Sequence, residues 1–310
     1  MNIILGSGLN ALLARHILGS DYKIIKSGPS RFYSVNPASA DNFIHSSSLL
    51  KPFEKQLGEL GVDLSKHQYK CCWSVGGHLL DHFDKMHCAF WLSKIFGFKI
   101  PSHLELVYPN RMMFDVYGTR VNQLYVSLYN KYRTELDNAP KISDVKSIID
   151  HQITFTNGNT IDYNKCISTI PLDDLYDLLK YQFPLDGVDV SAILLKTTSL
   201  DFEGYNQLWV VDPQISFFKA TKVSDDDYIF YFIGKIDNPG LYLTPYINDF
   251  DLISGFYYKN YIPAGTTADT KWLLEHDIIT LGMSAQWDAA MDVSSCFHRL
   301  LKISDGGKVV

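Results

Sequence analysis

Met1-Asn2-Ile3-Ile4-Leu5-Gly6-Ser7-Gly8-Leu9-Asn10-Ala11, continued by Leu12, Leu13, His16, Ile17 and Leu18 and then by Tyr22-Lys23-Ile24-Ile25-Lys26, decides the fold. Met1 to Leu5 is a short apolar run that reads as a buried strand. Leu12, Leu13, His16, Ile17 and Leu18 recur at helical spacing, and Tyr22 to Lys26 reads as a second strand. Between strand and helix, Gly6 permits a tight turn and Gly8 lets backbone amides approach a pyrophosphate. The small Ala11 lets the helix pack on the strand. Together these features predict a βαβ start of the dinucleotide-binding kind.

Working outward, Leu49 to about Leu106 turns helical and aromatic, with Leu49, Leu50, Phe53, Leu57 and Leu60 and later Phe83, Met86, Phe90, Trp91, Ile95 and Phe96. A further helix is expected over 116–136. Ile148 to Thr156 and Asn159 to Tyr163 alternate around Asn157-Gly158, a hairpin signal. Lys165 to Ile170 is an apolar strand stopped by Pro171, and Leu172 to Leu179 is a helix with Asp173 and Asp174 in its first turn. Strands follow at Ile193–Thr198, Gln207–Val211, Ser216–Val223 and Tyr228–Lys235. At the far end, Ile278 to Gly282 reads as a strand and Met283 to Ala290 as a loop holding Trp287. Met291-Asp292-Val293-Ser294 opens a helix capped by Asp292. Its first amides suit a phosphate or the N1–C2=O edge of a reduced flavin, and suit an ordinary capped helix as well.

Composition limits the function classes. In 310 residues, 46% hydrophobic and 20% charged, there is enough apolar surface for one large or two modest cores, which excludes a disordered or collagen-like chain. The net charge of −6 and the scattered cations exclude strong nucleic-acid binding. No apolar run approaches the ~20 residues of a membrane span, and no basic segment with a cleavage site opens the chain, so no membrane association and a cytoplasmic location are expected. Cys71, Cys72, Cys88, Cys166 and Cys296 are expected as free buried thiols. His67, His78, His82 and His87 lie near three of them, but no CxxC pair is present and no metal is expected.

Taken in order, these stretches resemble the FAD-dependent amine-oxidase superfamily, most closely its UDP-galactopyranose mutase branch. The likeness rests on Gly6 to Ala14, on Phe43-Ile44-His45, on Ile153 to Gly158 with Ile167-Ser168-Thr169-Ile170-Pro171-Leu172, and on Gly282 to Ser294. It implies an α/β fold. A Rossmann-like FAD-binding domain would comprise 1–48, 106–175 and 265–310, with a helical insertion at 49–105 and a strand-rich substrate layer at 176–264. It also implies a cofactor site of Gly6, Ser7, Gly8, Leu9, Asn10, Ala11, Lys26, Arg31, Thr169, Pro171, Gly282, Trp287, Met291, Asp292, Val293 and Ser294, with His45 near the flavin in a catalytic role. Lys26 and Ser27 stand where the family places an acid, and a lysine there also suits an NADP 2′-phosphate. Met283 stands where the family has an arginine after its C-terminal glycine.

Trp73, Trp209, Lys219, Tyr257 and Tyr258 are the expected walls of a small-molecule substrate site. Six Arg are few for clamping a UDP diphosphate. The expectation is therefore an FAD-dependent oxidoreductase acting on a small amine or amino-acid-like substrate. A flavin-dependent UDP-sugar mutase and a non-catalytic dinucleotide-binding descendant are the alternatives.

Overall fold

Ile3 and Leu5 point to one side of β1 (Asn2–Leu5) and Ile4 to the other, and all three are fully buried, so this strand is covered on both faces. The computed structural model describes residues 1–27, 58–60, 65–82, 84–97, 113–118, 121–200, 204–223, 225–264, 269–286 and 293–306. After β1 come α1 (Leu9–Leu18) and β2 (Tyr22–Ile25), which pairs parallel to β1 with Asn2 opposite Tyr22. The βαβ start is thus present as expected.

The stretch expected to be helical departs from that reading. It contains strands β3 (Ser65–Val75) and β4 (His78–Leu80), and only α2 (Lys85–Phe96) is helical in its later part. Cys71, Cys72, Trp73 and Ser74 are all buried, so both faces of β3 are covered and the alternation that marks a strand is erased. Residues expected to open the next helix form β5 (Met113–Gly118), paired with β3, and α3 runs over Val121–Asn138. Ile148 to Thr156 is two strands, not one. β6 (Val145–Ile149) and β7 (Gln152–Phe155) turn at Asp150 and His151, which both take positive φ. β8 (Thr160–Asp162) then pairs with β7 across the expected Asn157–Gly158 turn.

β9 (Lys165–Ser168) and α4 (Leu172–Leu179) lie where the sequence puts them. So do β11 (Gln207–Val210), β12 (Phe217–Lys222) and β13 (Asp227–Ile233), whereas the strand expected at Ile193–Thr198 is β10 (Gly187–Lys196), which starts and ends earlier. Helix α5 (Pro239–Leu243), β14 (Asp251–Pro263) and α6 (Thr270–Glu275) lead to β15 (Ile278–Thr280). The expected loop after it begins instead as the helical turn α7 (Met283–Gln286), and α8 spans Val293–Ser304.

These elements build an α/β architecture with three sheets. A four-stranded parallel sheet has the order β15-β9-β1-β2, uniting the two ends of the chain. On one face it carries α1, α3 and α8 through Ile4, Leu12, Leu124, Leu128, Phe297 and Leu300. Arg15 fastens α1 to α3, its Nε 3.0 Å from both carboxylate oxygens of Glu135. The other face carries the three-stranded sheet β6-β7-β8 and α4 through Ile3, Leu5, Ile153, Phe155 and Leu175. The large sheet runs β14-β10-β13-β12-β11-β3-β4, with β5 also on β3, so β3 and β4 belong to the layer expected from 176–264 alone.

Candidate dinucleotide site

β1, β9 and β15 end along one edge of the parallel sheet, where Leu5, Ser168 and Thr280 share a row. In open parallel sheets, ligands bind in the crevice outside such carboxyl ends. The chain leaves this edge through Gly6, Thr169 and Gly282. Gly6 takes φ +123°, and a Cβ there would lie 2.1 Å from Thr169 Oγ1. The Thr169 hydroxyl in turn donates to Leu5 O at 3.0 Å. Gly282 takes φ +104°, and its Cβ would lie 2.6 Å from Asn10 Nδ2. Both positions therefore exclude a side chain by backbone conformation and by contact.

Gly8 differs from both. It caps α1 at φ −73° and ψ −177°, backbone that any residue adopts, with no side-chain hydrogen bond to the helix. A Cβ on Gly8 meets nothing within 4 Å. The first amides of the helix, around Leu9, Asn10 and Ala11, have no acceptor within the helix, and the dipole makes this end partly positive. Beside it, Asn10 Oδ1 is buried without a hydrogen-bond partner, and so is Oε1 of Gln286 on α7, a residue 6% exposed.

The end of β2 is closed by hydroxyls. Ser7 N donates to Ser27 Oγ at 3.2 Å, Ser7 Oγ donates to Ser27 O at 3.1 Å, and the two Oγ atoms are 3.0 Å apart. The Lys26 ammonium donates to Leu136 O and Asp137 O, so its charge sits at the C-terminal end of α3, where the helix dipole favours a cation. That contact engages the group assigned by sequence to a ribose or a 2′-phosphate. Pro171 stands at the N-terminal cap of α4. Val293 and Ser294 open α8. Arg31, His45, Trp287, Met291 and Asp292 lie outside the described residues.

The substrate-wall residues fall on the large sheet. Trp73, Trp209, Lys219 and Tyr231 occupy one row across β3, β11, β12 and β13. Trp73 is fully buried and Trp209 nearly so, packed at 4.7 Å between ring centres and covered by Trp91 of α2. They are core under a helix, which corrects their reading as open walls. Lys219 is half-buried, its Nζ 4.6 Å from the centre of the Tyr231 ring. Burial pushes the nearby Cys71 thiol up to about 12, and Lys219 opposes that shift. Tyr257 and Tyr258 are consecutive on β14 and therefore face opposite sides. The Tyr257 hydroxyl donates to Asp189 Oδ2, whereas Tyr258 packs against the core that holds Trp73.

Sequence reading missed Lys94, whose ammonium donates to Val210 O, Asp212 O and Phe217 O at 3.3, 2.8 and 2.9 Å. No motif marks such a residue. It placed Ser27 where the family has its acid but did not foresee its hydrogen bonds to Ser7. All five cysteines are buried and outside any disulfide, as expected. Among the described residues, no three His, Cys, Asp or Glu side chains could hold a metal together. No described helix is long and apolar enough to cross a membrane.

No sequence family matches the chain, and no curated protein does. Solved structures match it over almost its whole length. Reduced UDP-galactopyranose mutase superposes with a TM-score of 0.66 at 13% identity, over 98% of this chain and 93% of that one. Cyclohexylamine oxidase from Brevibacterium oxydans IH-35A gives 0.64 at 8% identity, over 98% of both chains. Iminodiacetate oxidase from Chelativorans sp. BNC1 gives 0.55 at 12% identity, over 100% of this chain and 96% of that one. The chain shares the fold of these three enzymes.

The residues present fit a dinucleotide such as FAD at the pyrophosphate. The space beside Gly8 is open and the helix amides there lack partners within the helix. At the adenosine end the fit is weaker. The neutral Ser7–Ser27 pair, already bonded to itself, replaces a charged acceptor.

Proposed function

We propose that the chain is an FAD-dependent oxidoreductase acting on a small amine or amino-acid-like substrate. The observation that carries this reading is the open N-terminus of α1 at Gly8, set between two glycine turns that admit no side chain. The amides of Leu9 and Asn10 hold the pyrophosphate. The start of α8, at Val293 and Ser294, lies in the segment suited to the pyrimidine edge of the ring. When bound, FAD accepts the electrons and hydrogen lost from a substrate carbon bearing nitrogen. The protein's part is to exclude water and to orient the substrate carbon toward the ring.

Likeness to UDP-galactopyranose mutase favours a second reading, a flavin-dependent UDP-sugar mutase. Two of the three described arginines give it little support, since Arg15 is held by Glu135 and Arg133 lies beside Asp137, which leaves Arg299 on α8. The absorbance spectrum of the freshly purified protein tests both. A yellow protein bleached without oxygen by an amine or amino acid supports the oxidoreductase. Binding of a UDP-sugar, with bleaching only by added reductant, supports the mutase. A colourless protein whose melting temperature FAD does not raise refutes both and leaves a non-catalytic descendant.

A further inference from the structure

Ser7 stands in the glycine turn that leads from β1 into α1, and Ser27 follows the end of β2. In a dinucleotide fold an acid about 20 residues beyond the glycine turn holds the adenosine ribose at this end of the sheet. Here that place is closed. Ser7 N donates to Ser27 Oγ at 3.2 Å, Ser7 Oγ donates to Ser27 O at 3.1 Å, and the two hydroxyls are 3.0 Å apart. Lys26 is engaged through its backbone as well as its side chain. Its N–H donates to Pro140 O and its carbonyl accepts from Ile142 N, both at 2.8 Å, while its ammonium donates to Leu136 O and Asp137 O. The Asp137 carboxylate lies 3.9 Å from Arg133 Nε. None of these residues offers a ribose an unshared carboxylate.

The phosphate end differs. α1 opens at Gly8 beside free space, with first amides that have no acceptor in the helix. A phosphomonoester brings about −1.5 to −2 of charge to such an end at pH 7, much as a pyrophosphate does.

We propose that the site reads the flavin half of its cofactor and not the adenosine half, so that FMN is held about as tightly as FAD. The inference rests on the flavin reading given above. Ser27 is the residue that sets this selectivity. A hydroxyl has one proton and two lone pairs, and the N–H and Oγ of Ser7 occupy two of the three. A carboxylate has about four acceptor sites, so the same two Ser7 donors would leave about two for the ribose hydroxyls. Those bonds would also be charge-assisted, and roughly twice as strong as neutral ones.

Flavin titrations of the full chain freed of bound cofactor, read by absorbance and by melting temperature, test the proposal. FMN and FAD should bind within about tenfold of each other, and FAD lacking the adenosine 2′-hydroxyl should bind like FAD. Ser27→Asp should tighten FAD by about tenfold, leave FMN unchanged, and make loss of the 2′-hydroxyl cost about tenfold. A wild type that prefers FAD over FMN by more than about tenfold, or that loses about tenfold with the deoxy analogue, overturns the proposal and leaves the flavin reading standing. So does a folded Ser27→Asp protein whose FAD affinity is unchanged. Binding of neither flavin overturns both. Should Ser27→Asp fail to fold, the wild-type comparison of the three flavins decides.

Discussion

Gly8→Val and Gly6→Ala should damage different things, because the two glycines meet different surroundings. At Gly6 an alanine must adopt φ +123° and place its Cβ 2.1 Å from Thr169 Oγ1. The backbone strain costs about 1–3 kcal/mol, and displacing Thr169 from Leu5 O costs about 1 kcal/mol more. With about 2.1 cal/mol/K of unfolding entropy per residue, 310 residues give about 0.65 kcal/mol/K, so Gly6→Ala should lower the melting temperature by about 3–6 °C. At Gly8 the backbone is ordinary and the Cβ position is empty, so valine costs the apoprotein only a weaker helix cap, about 1 kcal/mol and about 1.5 °C. FAD at a hundredfold excess over its Kd stabilises by about 2.7 kcal/mol, or about 4 °C on the same scale. Valine branches fill the approach to the α1 amides, so Gly8→Val should lose that rise while remaining folded. Thermal melts with and without FAD check it. A Gly8→Val protein that melts near the wild type and still gains the full rise with FAD refutes the placement of the pyrophosphate.

Two further perturbations test the scaffold. Burial holds the Lys94 ammonium at about 8, below its ordinary 10.5, so the folded chain releases this proton first, and stability attributable to Lys94 should rise as pH climbs from about 8 to about 10.5. Urea midpoints at pH of about 7 and about 10 should show that rise for the wild type but not for Lys94→Met, and equal pH dependence in the two would contradict it. His151 sits at φ +60° in the tight turn between β6 and β7, a conformation that glycine adopts without the roughly 1–2 kcal/mol penalty of other residues. His151→Gly gives up an exposed contact to Asp277 at 3.1 Å, worth at most about 1 kcal/mol, so the urea midpoint should rise or hold. A clear fall would show that the turn is not the strained element.

What was legible in the sequence follows from how each segment is buried. The β1–α1–β2 start could be read because its glycines and its helical period point to one answer, and α4 because Pro171 fixes its start. β3 could not be read from period. Cys71 and Trp73 face one core while Cys72 and Ser74 are buried on the other side, leaving a continuous apolar run that a helix explains equally well. Gly76 and Gly77, both at positive φ between β3 and β4, were the available hairpin signal. The turn at Asp150 and His151 carries no glycine at all, so composition gave no hint of it. Trp73 and Trp209 looked like walls because nothing in their own strands shows that Trp91, on a separate helix, lies over them.

The end of β2 shows why Gly8 is the decisive position for the cofactor. A carboxylate there accepts a ribose hydroxyl in a charge-assisted bond, roughly twice the strength of a neutral one. Ser27 Oγ already accepts from Ser7 N and shares a hydrogen bond with Ser7 Oγ, so it offers a ribose at most one neutral acceptor site. Lys26 spends two of its three N–H donors on the last carbonyls of α3, which weakens what it offers a 2′-phosphate. At this point on β2, then, neither form of the ribose meets an unshared charge. The binding energy of a dinucleotide shifts toward the pyrophosphate and the ring, and the amides at Gly8 carry a larger share of it than they would beside an acidic β2.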